Sequence, residues 1–123
     1  NLEIERRCVA CGARTFLPQR DAPQLTKDNR QEVFGAELRA NEEARLLVCN
    51  LDGVDVDSGT AFEIGYAVAR GKSIIGLRTD FRAFSPVEPV NLMIYESCYL
   101  VRSLDEMASA IRAFFDGELA GSG

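Results

Sequence analysis

Two rhythms alternate along this chain. Short, almost uninterrupted apolar runs are separated by longer stretches in which apolar residues recur every three or four positions. Leu46-Leu47-Val48-Cys49 and Ile74-Ile75-Gly76-Leu77 belong to the first kind, and such runs suit strands buried on both faces. The pattern predicts strands over 14–17 (stopped by Pro18), 45–50, 73–77 and 98–101. Helical periodicity predicts helices over 28–44, 59–70 and 104–119. In the first of these, Val33, Phe34, Ala36 or Glu37, Leu38 and Ala40 fall near one face. Gly71 closes the second, and Ser103 supplies the N-cap of the third. Residues 1–11 carry Leu2, Ile4, Val9 and Ala10 among charges, like the second half of an amphipathic helix, with Gly12 as its C-cap. A short helix is expected over 91–96. Polar loops are expected over 19–27 and 51–58, and a long loop over 78–90 holds Pro86 and Pro89.

Strands alternating with helices imply an α/β protein whose parallel sheet is covered on both faces. The count is four strands, and the chain opens inside a helix. A doubly wound sheet normally begins with its central strand, so we expect that first strand to lie upstream of Asn1. A single domain over 1–120 is expected, followed by the tail Gly121-Ser122-Gly123.

Composition narrows the chemistry. The 123 residues are 46% apolar and 27% charged, with a net charge of −5, so a nucleic-acid polymer is not the expected partner. No apolar run is long enough to span a membrane, and no leader is visible at the start. The absence of histidine removes Ser-His-Asp and Cys-His catalysis and every His-based metal site. Carboxylates, thiols, Lys or Tyr must carry any nucleophilic or acid–base step. Cys8 and Cys11 form a C-x-x-C pair, but at the end of a helix rather than the start. Cys49 and Cys98 lie in apolar strands. The four thiols are expected to be reduced and structural, which suits a cytoplasmic protein.

The densest chemistry is Asp55-Val56-Asp57-Ser58-Gly59-Thr60-Ala61-Phe62-Glu63-Ile64-Gly65-Tyr66-Ala67, where a strand ends and its helix begins. In open α/β sheets that edge binds ligands. Glu63 is expected in the first turn, where the helix dipole favours an ionised carboxylate able to act as a nucleophile. The Ser-Gly-Thr turn could cradle a phosphate, although the P-loop lysine is missing, so triphosphate use is not expected. Plainer roles stand beside these. Glu63 fits a solvated first-turn acid, Asp57 a helix cap, Glu37 a surface helix charge, Asn91 a turn or cap residue, and Phe62 and Tyr66 packing.

The motif Asp57-Ser58-Gly59-Thr60-Ala61-Phe62-Glu63-Ile64-Gly65-Tyr66-Ala67 resembles the signature of the nucleoside 2-deoxyribosyltransferase family. So do Leu17-Pro18-Gln19-Arg20-Asp21, residues 33–51, Gly71-Lys72-Ser73-Ile74-Ile75, Thr79-Asp80-Phe81-Arg82 and Val90-Asn91-Leu92-Met93. The resemblance implies a flavodoxin-like doubly wound parallel sheet, here without its first strand and Gly-rich loop. It implies a transferase that cleaves the N-glycosidic bond of 2′-deoxynucleosides and passes the deoxyribose to another nucleobase, without a cofactor, in nucleotide salvage. By motif position Glu63 is the nucleophile at C1′ and Asp57 holds the sugar. Glu37 aligns with a family Asp that contacts or protonates the base. Ser58 and Gly59 line the substrate site, and Gln19 resembles a base-contacting glutamine. Asn91 and Met93 match residues that complete the sugar pocket of a neighbouring subunit, so a homo-oligomer is implied. An N-glycoside hydrolase on the same fold, or a non-catalytic nucleotide-binding module, is the alternative.

Overall fold

A computed structural model of the protein describes residues 2–10, 23–80, 82 and 85–117. Helix α1 (Leu2–Ala10) comes first in chain order and α2 (Arg30–Glu43) next. Strand β1 (Leu46–Asn50), helix α3 (Ser58–Ala69) and strand β2 (Ser73–Leu77) then form a βαβ unit. The short α4 (Leu92–Tyr95), β3 (Tyr99–Val101) and α5 (Leu104–Phe115) complete the order. Among the described residues the sheet has the order β1-β2-β3, and both pairings are parallel. Leu46 stands beside Ser73, and Ile75 beside Tyr99. The expected pairing of 45–50 with 73–77 is therefore present. The expected strand over 14–17 lies outside the described residues.

Side-chain alternation along each strand divides the interior into two layers. Cys49 and Ile74 face α3 and α4, where Leu51, Val56, Ile64, Ala67, Val90 and Ile94 close a buried cluster. Ile75, Leu77 and Val101 face the other way, onto Cys8 of α1 and Met107, Ala110 and Ile111 of α5. Ile74 and Ile75 are each at most 1% exposed, so consecutive residues of β2 anchor opposite layers. A one-residue slip of register would exchange the two layers, which is why the central strand is fixed.

Local chemistry sets the boundaries. Ser103 Oγ accepts from the Glu106 amide at 3.1 Å and starts α5, as expected. Gly71, at φ +72°, closes α3, and Gly117, at φ +79°, follows α5. Lys72 then donates from Nζ to the carbonyls of Glu42 and Ala44, both at 2.7 Å, which satisfies the orphan acceptors at the end of α2. The last helix stops at Phe115, short of the expected 119.

Helix α2 departs from expectation on its packing face. Phe34 is 55% exposed, and the buried residue is Asn41. The helix packs on α3, a neighbouring helix with polar positions of its own, so the buried contact is a hydrogen bond. Asn41 Nδ2 donates to the Glu63 carbonyl at 3.0 Å. Cys49 and Cys8 are buried thiols outside any disulfide, and Cys98 lies half-buried just before β3 instead of inside it. Burial, then the proximity of Cys98 and Glu63, raises the Cys49 thiol far above its usual range, so it stays protonated and unreactive. Cys11 lies outside the described residues. Among those described, no helix is long and apolar enough to cross a membrane.

Candidate active site

The carboxyl ends of the strands deliver the acid-rich segment to one edge. β1 ends at Asn50, the chain crosses residues 51–56, and Asp57 starts α3. Asp57 Oδ2 accepts from the Thr60 amide at 3.1 Å and from Thr60 Oγ1 at 3.4 Å, while its backbone carbonyl takes the Ala61 amide at 2.9 Å. It is thus the N-cap, the plainer of the two roles open to it, and it remains solvent-exposed with its carboxylate at the helix mouth. Gly59 leaves room for this. A Cβ there would sit 3.2 Å from Asp57 Oδ2.

Capping at Asp57 starts the helix at Ser58 and moves Glu63 out of the first turn, where the residue spacing had suggested it. The dipole effect fades within that turn. The carboxyl of Glu63 is not favoured in its ionised form but held above the usual glutamate value. The largest cause is its half-buried position, followed by the negative charges of Glu37 and then Asp57. Those two charges bring the three predicted acids into one electrostatic cluster. Glu37 comes from α2, Glu63 from α3, and Asp57 from the cap of α3. A desolvated carboxylate flanked by like charges is more basic than a free one and gains most from a developing positive charge placed against it.

The other predicted residues are placed as follows. Ser58 and Gly59 are the first two residues of α3, at the end where backbone amides point outward. Asn91 caps α4, its Oδ1 accepting from the Met93 amide at 2.9 Å. Met93 is 76% exposed. Ile94 of the same short helix packs in the cluster of Ile64 and Val56, so α4 lies against α3 of its own chain. Gln19 lies outside the described residues. Phe62 does not pack inward; it is 53% exposed and stacks on Tyr66 at 6.3 Å between ring centroids, with Phe34 tilted at its other side, also at 6.3 Å. Tyr66 donates a short hydrogen bond to Glu42 on α2, which ties α3 to α2 below the acid cluster.

Sequence reasoning missed Asn41, Asp52 and Arg78. Arg78 was placed in a loop, yet it is 1% exposed, one residue beyond β2. Its Nη1 donates to the carbonyls of Leu51 at 2.6 Å and Gly53 at 3.1 Å, and its Nη2 to that of Arg82 at 2.7 Å. Asp52 accepts from Thr79 N at 2.7 Å, Thr79 Oγ1 at 2.5 Å and Asp80 N at 2.9 Å. Partial burial opposes ionisation of Asp52, but these hydrogen bonds and the nearby Arg78 outweigh it, and its carboxyl is held below the usual range. A charged residue directly after an apolar strand was the available signal.

Comparison with known proteins gives the family and the fold. The model of the family described as nucleoside 2-deoxyribosyltransferase matches residues 2–106, most of the chain. A crystal structure of a conserved protein from Enterococcus faecalis V583 superposes with a TM-score of 0.75 at 23% identity, covering 92% of this chain and 86% of that one. That likeness establishes the flavodoxin-like α/β fold. No curated protein matches.

Proposed function

From the premise that this chain belongs to the nucleoside 2-deoxyribosyltransferase family, we propose that it transfers 2-deoxyribose between nucleobases through a covalent intermediate on Glu63. The observation that carries this reading is the half-buried Glu63 carboxyl, made more basic by burial, Glu37 and Asp57, at the strand edge where such folds bind ligands. Glu63 Oε attacks C1′ of the deoxynucleoside. The C1′–N bond breaks with its electron pair going to the base, which takes up a proton, and an ester to the sugar remains. The incoming base then attacks C1′ through nitrogen, loses its proton and releases the carboxylate. The oxocarbenium-like charge at C1′ forms against three acids, and without a 2′-hydroxyl the sugar ionises readily. Asp57, exposed at the mouth, holds the sugar hydroxyls, and Glu37 handles the proton on the base. The amides of Ser58 and Gly59 border the same site.

The exposed Met93 and the Asn91 cap support a second element of the proposal, a homo-oligomer in which these residues reach the Glu63 site of another copy. Light scattering at micromolar concentration tests it, with the mass of a single chain as the refuting result.

The chemical test is incubation with deoxyinosine, with and without adenine. Formation of deoxyadenosine and hypoxanthine is expected. Free deoxyribose would instead identify a hydrolase, and binding without turnover a nucleotide-binding module. Trapping with a 2-fluoro-2-deoxyribosyl donor should add its sugar mass to the peptide that contains Glu63. Label on another residue refutes the assigned nucleophile.

A further inference from the structure

Two loops leave the carboxyl edge of the sheet side by side. The loop after β1, residues 51–56, leads into Asp57 and the helix of Glu63. The segment after β2, described at residues 78–80, 82 and 85–90, leads into Asn91. Each sends a charged side chain into the backbone of the other. Arg78 donates to the carbonyls of Leu51 and Gly53, and Asp52 accepts from Thr79 and Asp80. The Asp80 carboxyl is held well below the usual carboxylate range, first by its hydrogen bonds with Arg82 and with a smaller contribution from the Gly53 amide. The remaining arm of Arg78 reaches back to the Arg82 carbonyl, which fastens the second loop on itself.

Two details show that the arrangement is built into the chain. Arg78 is 1% exposed and its guanidinium is held by carbonyl oxygens, a costly burial for a cation whose value lies in geometry. Gly53 has φ +120°, a conformation that L side chains rarely adopt, and a Cβ there would meet the Asp55 carbonyl at 3.0 Å. The chain accepts that conformation at a residue whose carbonyl serves the crossing.

We infer that Arg78 and Asp52 are positioning residues: their reciprocal clamp fixes the loop that leads into Asp57 and the helix of Glu63 against the start of the segment that follows β2, so that the Glu63 site of this chain and the Asn91 end that serves another copy keep one relative geometry. Neither residue touches the reacting atoms. The kinetic consequence rests on the function proposed above, whereas the mechanical one does not. A planar guanidinium forks to carbonyls of two segments at once, and a lysine ammonium on a flexible stem cannot hold that geometry. Misplacement by about 1 Å of a group that orients a reacting centre can cost ~10²-fold in rate.

The test uses the full chain with Arg78→Lys, Arg78→Met and Asp52→Ala. Asp52 is not buried, so its variant keeps the test open should removal of Arg78 prevent folding. Amide hydrogen exchange is expected to speed up at least tenfold over residues 51–56 and 79–82 while α1 and α5 keep their protection. In base exchange, kcat is expected to fall ~10- to 10²-fold with little change in KM, and the double variant Arg78→Lys/Asp52→Ala should lose less than the product of the single losses, because both act on one crossing. Exchange that rises evenly over the whole sheet, or loops that keep wild-type protection in a folded variant, overturns the clamp. Local loosening with unchanged kcat overturns its positioning role. If the wild type exchanges no base, the proposed function fails, and the exchange pattern alone then decides the clamp.

Discussion

Replacing Gly76 with Ala adds one methyl group at the centre of β2, where the structure leaves no room for it. A Cβ built there lies 2.6 Å from Leu51 Cδ1, 3.2 Å from Leu51 Cγ and 3.4 Å from Cys98 Cβ. Carbon atoms in contact settle at about 3.5–4.0 Å, so the first of these contacts is short by roughly 1 Å. Leu51 is 0% exposed and its carbonyl is held by Arg78, so its backbone cannot yield freely. Overpacking of a tight core costs ~1–3 kcal/mol. The smaller entropy loss of Ala in a strand offsets ~0.5–1 kcal/mol of that. The net expectation is a destabilisation of about 1–2 kcal/mol, read as a drop of roughly 0.5–1 M in the urea midpoint at an m of ~2 kcal/mol/M. Leu51→Ala alone should cost about 2–5 kcal/mol by opening a cavity. The methyl that Gly76→Ala introduces fills part of that cavity, so the double variant should be more stable than the sum of the single effects by ~1–2 kcal/mol. A Gly76→Ala protein within about 0.5 kcal/mol of wild type, or strictly additive effects, would refute the packing described for this edge.

Further expectations concern the acids and a cap. A carboxyl whose folded pKa is raised keeps its proton longer in the native state than in the unfolded chain. The stability linked to Glu63 is therefore full below the ordinary glutamate value and declines as pH rises through its higher folded value. Glu63→Gln should gain stability relative to wild type between pH 4 and pH 8, as measured by urea midpoints, and an unchanged difference would contradict the assigned burial. Glu37→Gln removes one of the charges that raise Glu63, so the acidic limb of the kcat profile should move to lower pH; movement to higher pH would show that the two groups do not face each other. Ser103→Ala should cost ~1 kcal/mol, visible as a lower thermal midpoint, because the Glu106 amide loses its acceptor; no change would mean that the cap is replaced by water.

The parts of the fold that the sequence revealed are those decided locally. Leu46 to Cys49 and Ile74 to Leu77 are strands as expected, the second buried and the first only partly so, and Ser103 and Gly71 marked helix ends through their own short-range chemistry. The acid cluster was legible for a different reason. Asp57 and Glu63 sit in one motif with a distinctive spacing, and Glu37 was placed beside them by family resemblance. Even there the first-turn assignment of Glu63 failed, because the cap formed at Asp57 and shifted the helix start. Arg78, Asp52 and Asn41 escaped notice because their partners lie 27, 27 and 22 residues away, and composition carries no trace of such pairings. Asn41 was also hidden by its surroundings. The apolar residues of α2 suggested a greasy face, but the helix rests on α3 through a hydrogen bond to a main-chain carbonyl.

The surroundings of Arg78 also bear on ionic strength. Dissolved ions weaken attraction between exposed charges, and at 1 M salt that attraction reaches only about 3 Å. The contact of Arg7 with Asp105, which ties α1 to α5, is of that kind, with Asp105 92% exposed. Arg78 instead directs its hydrogen bonds to the oxygens of Leu51, Gly53 and Arg82, dipoles inside a volume that ions do not enter. Concentrated sodium chloride should therefore weaken the Arg7–Asp105 contact, while the apolar packing of α1 on α5 and the hydrogen bonds of Arg78 at the edge that carries Glu63 stay in place.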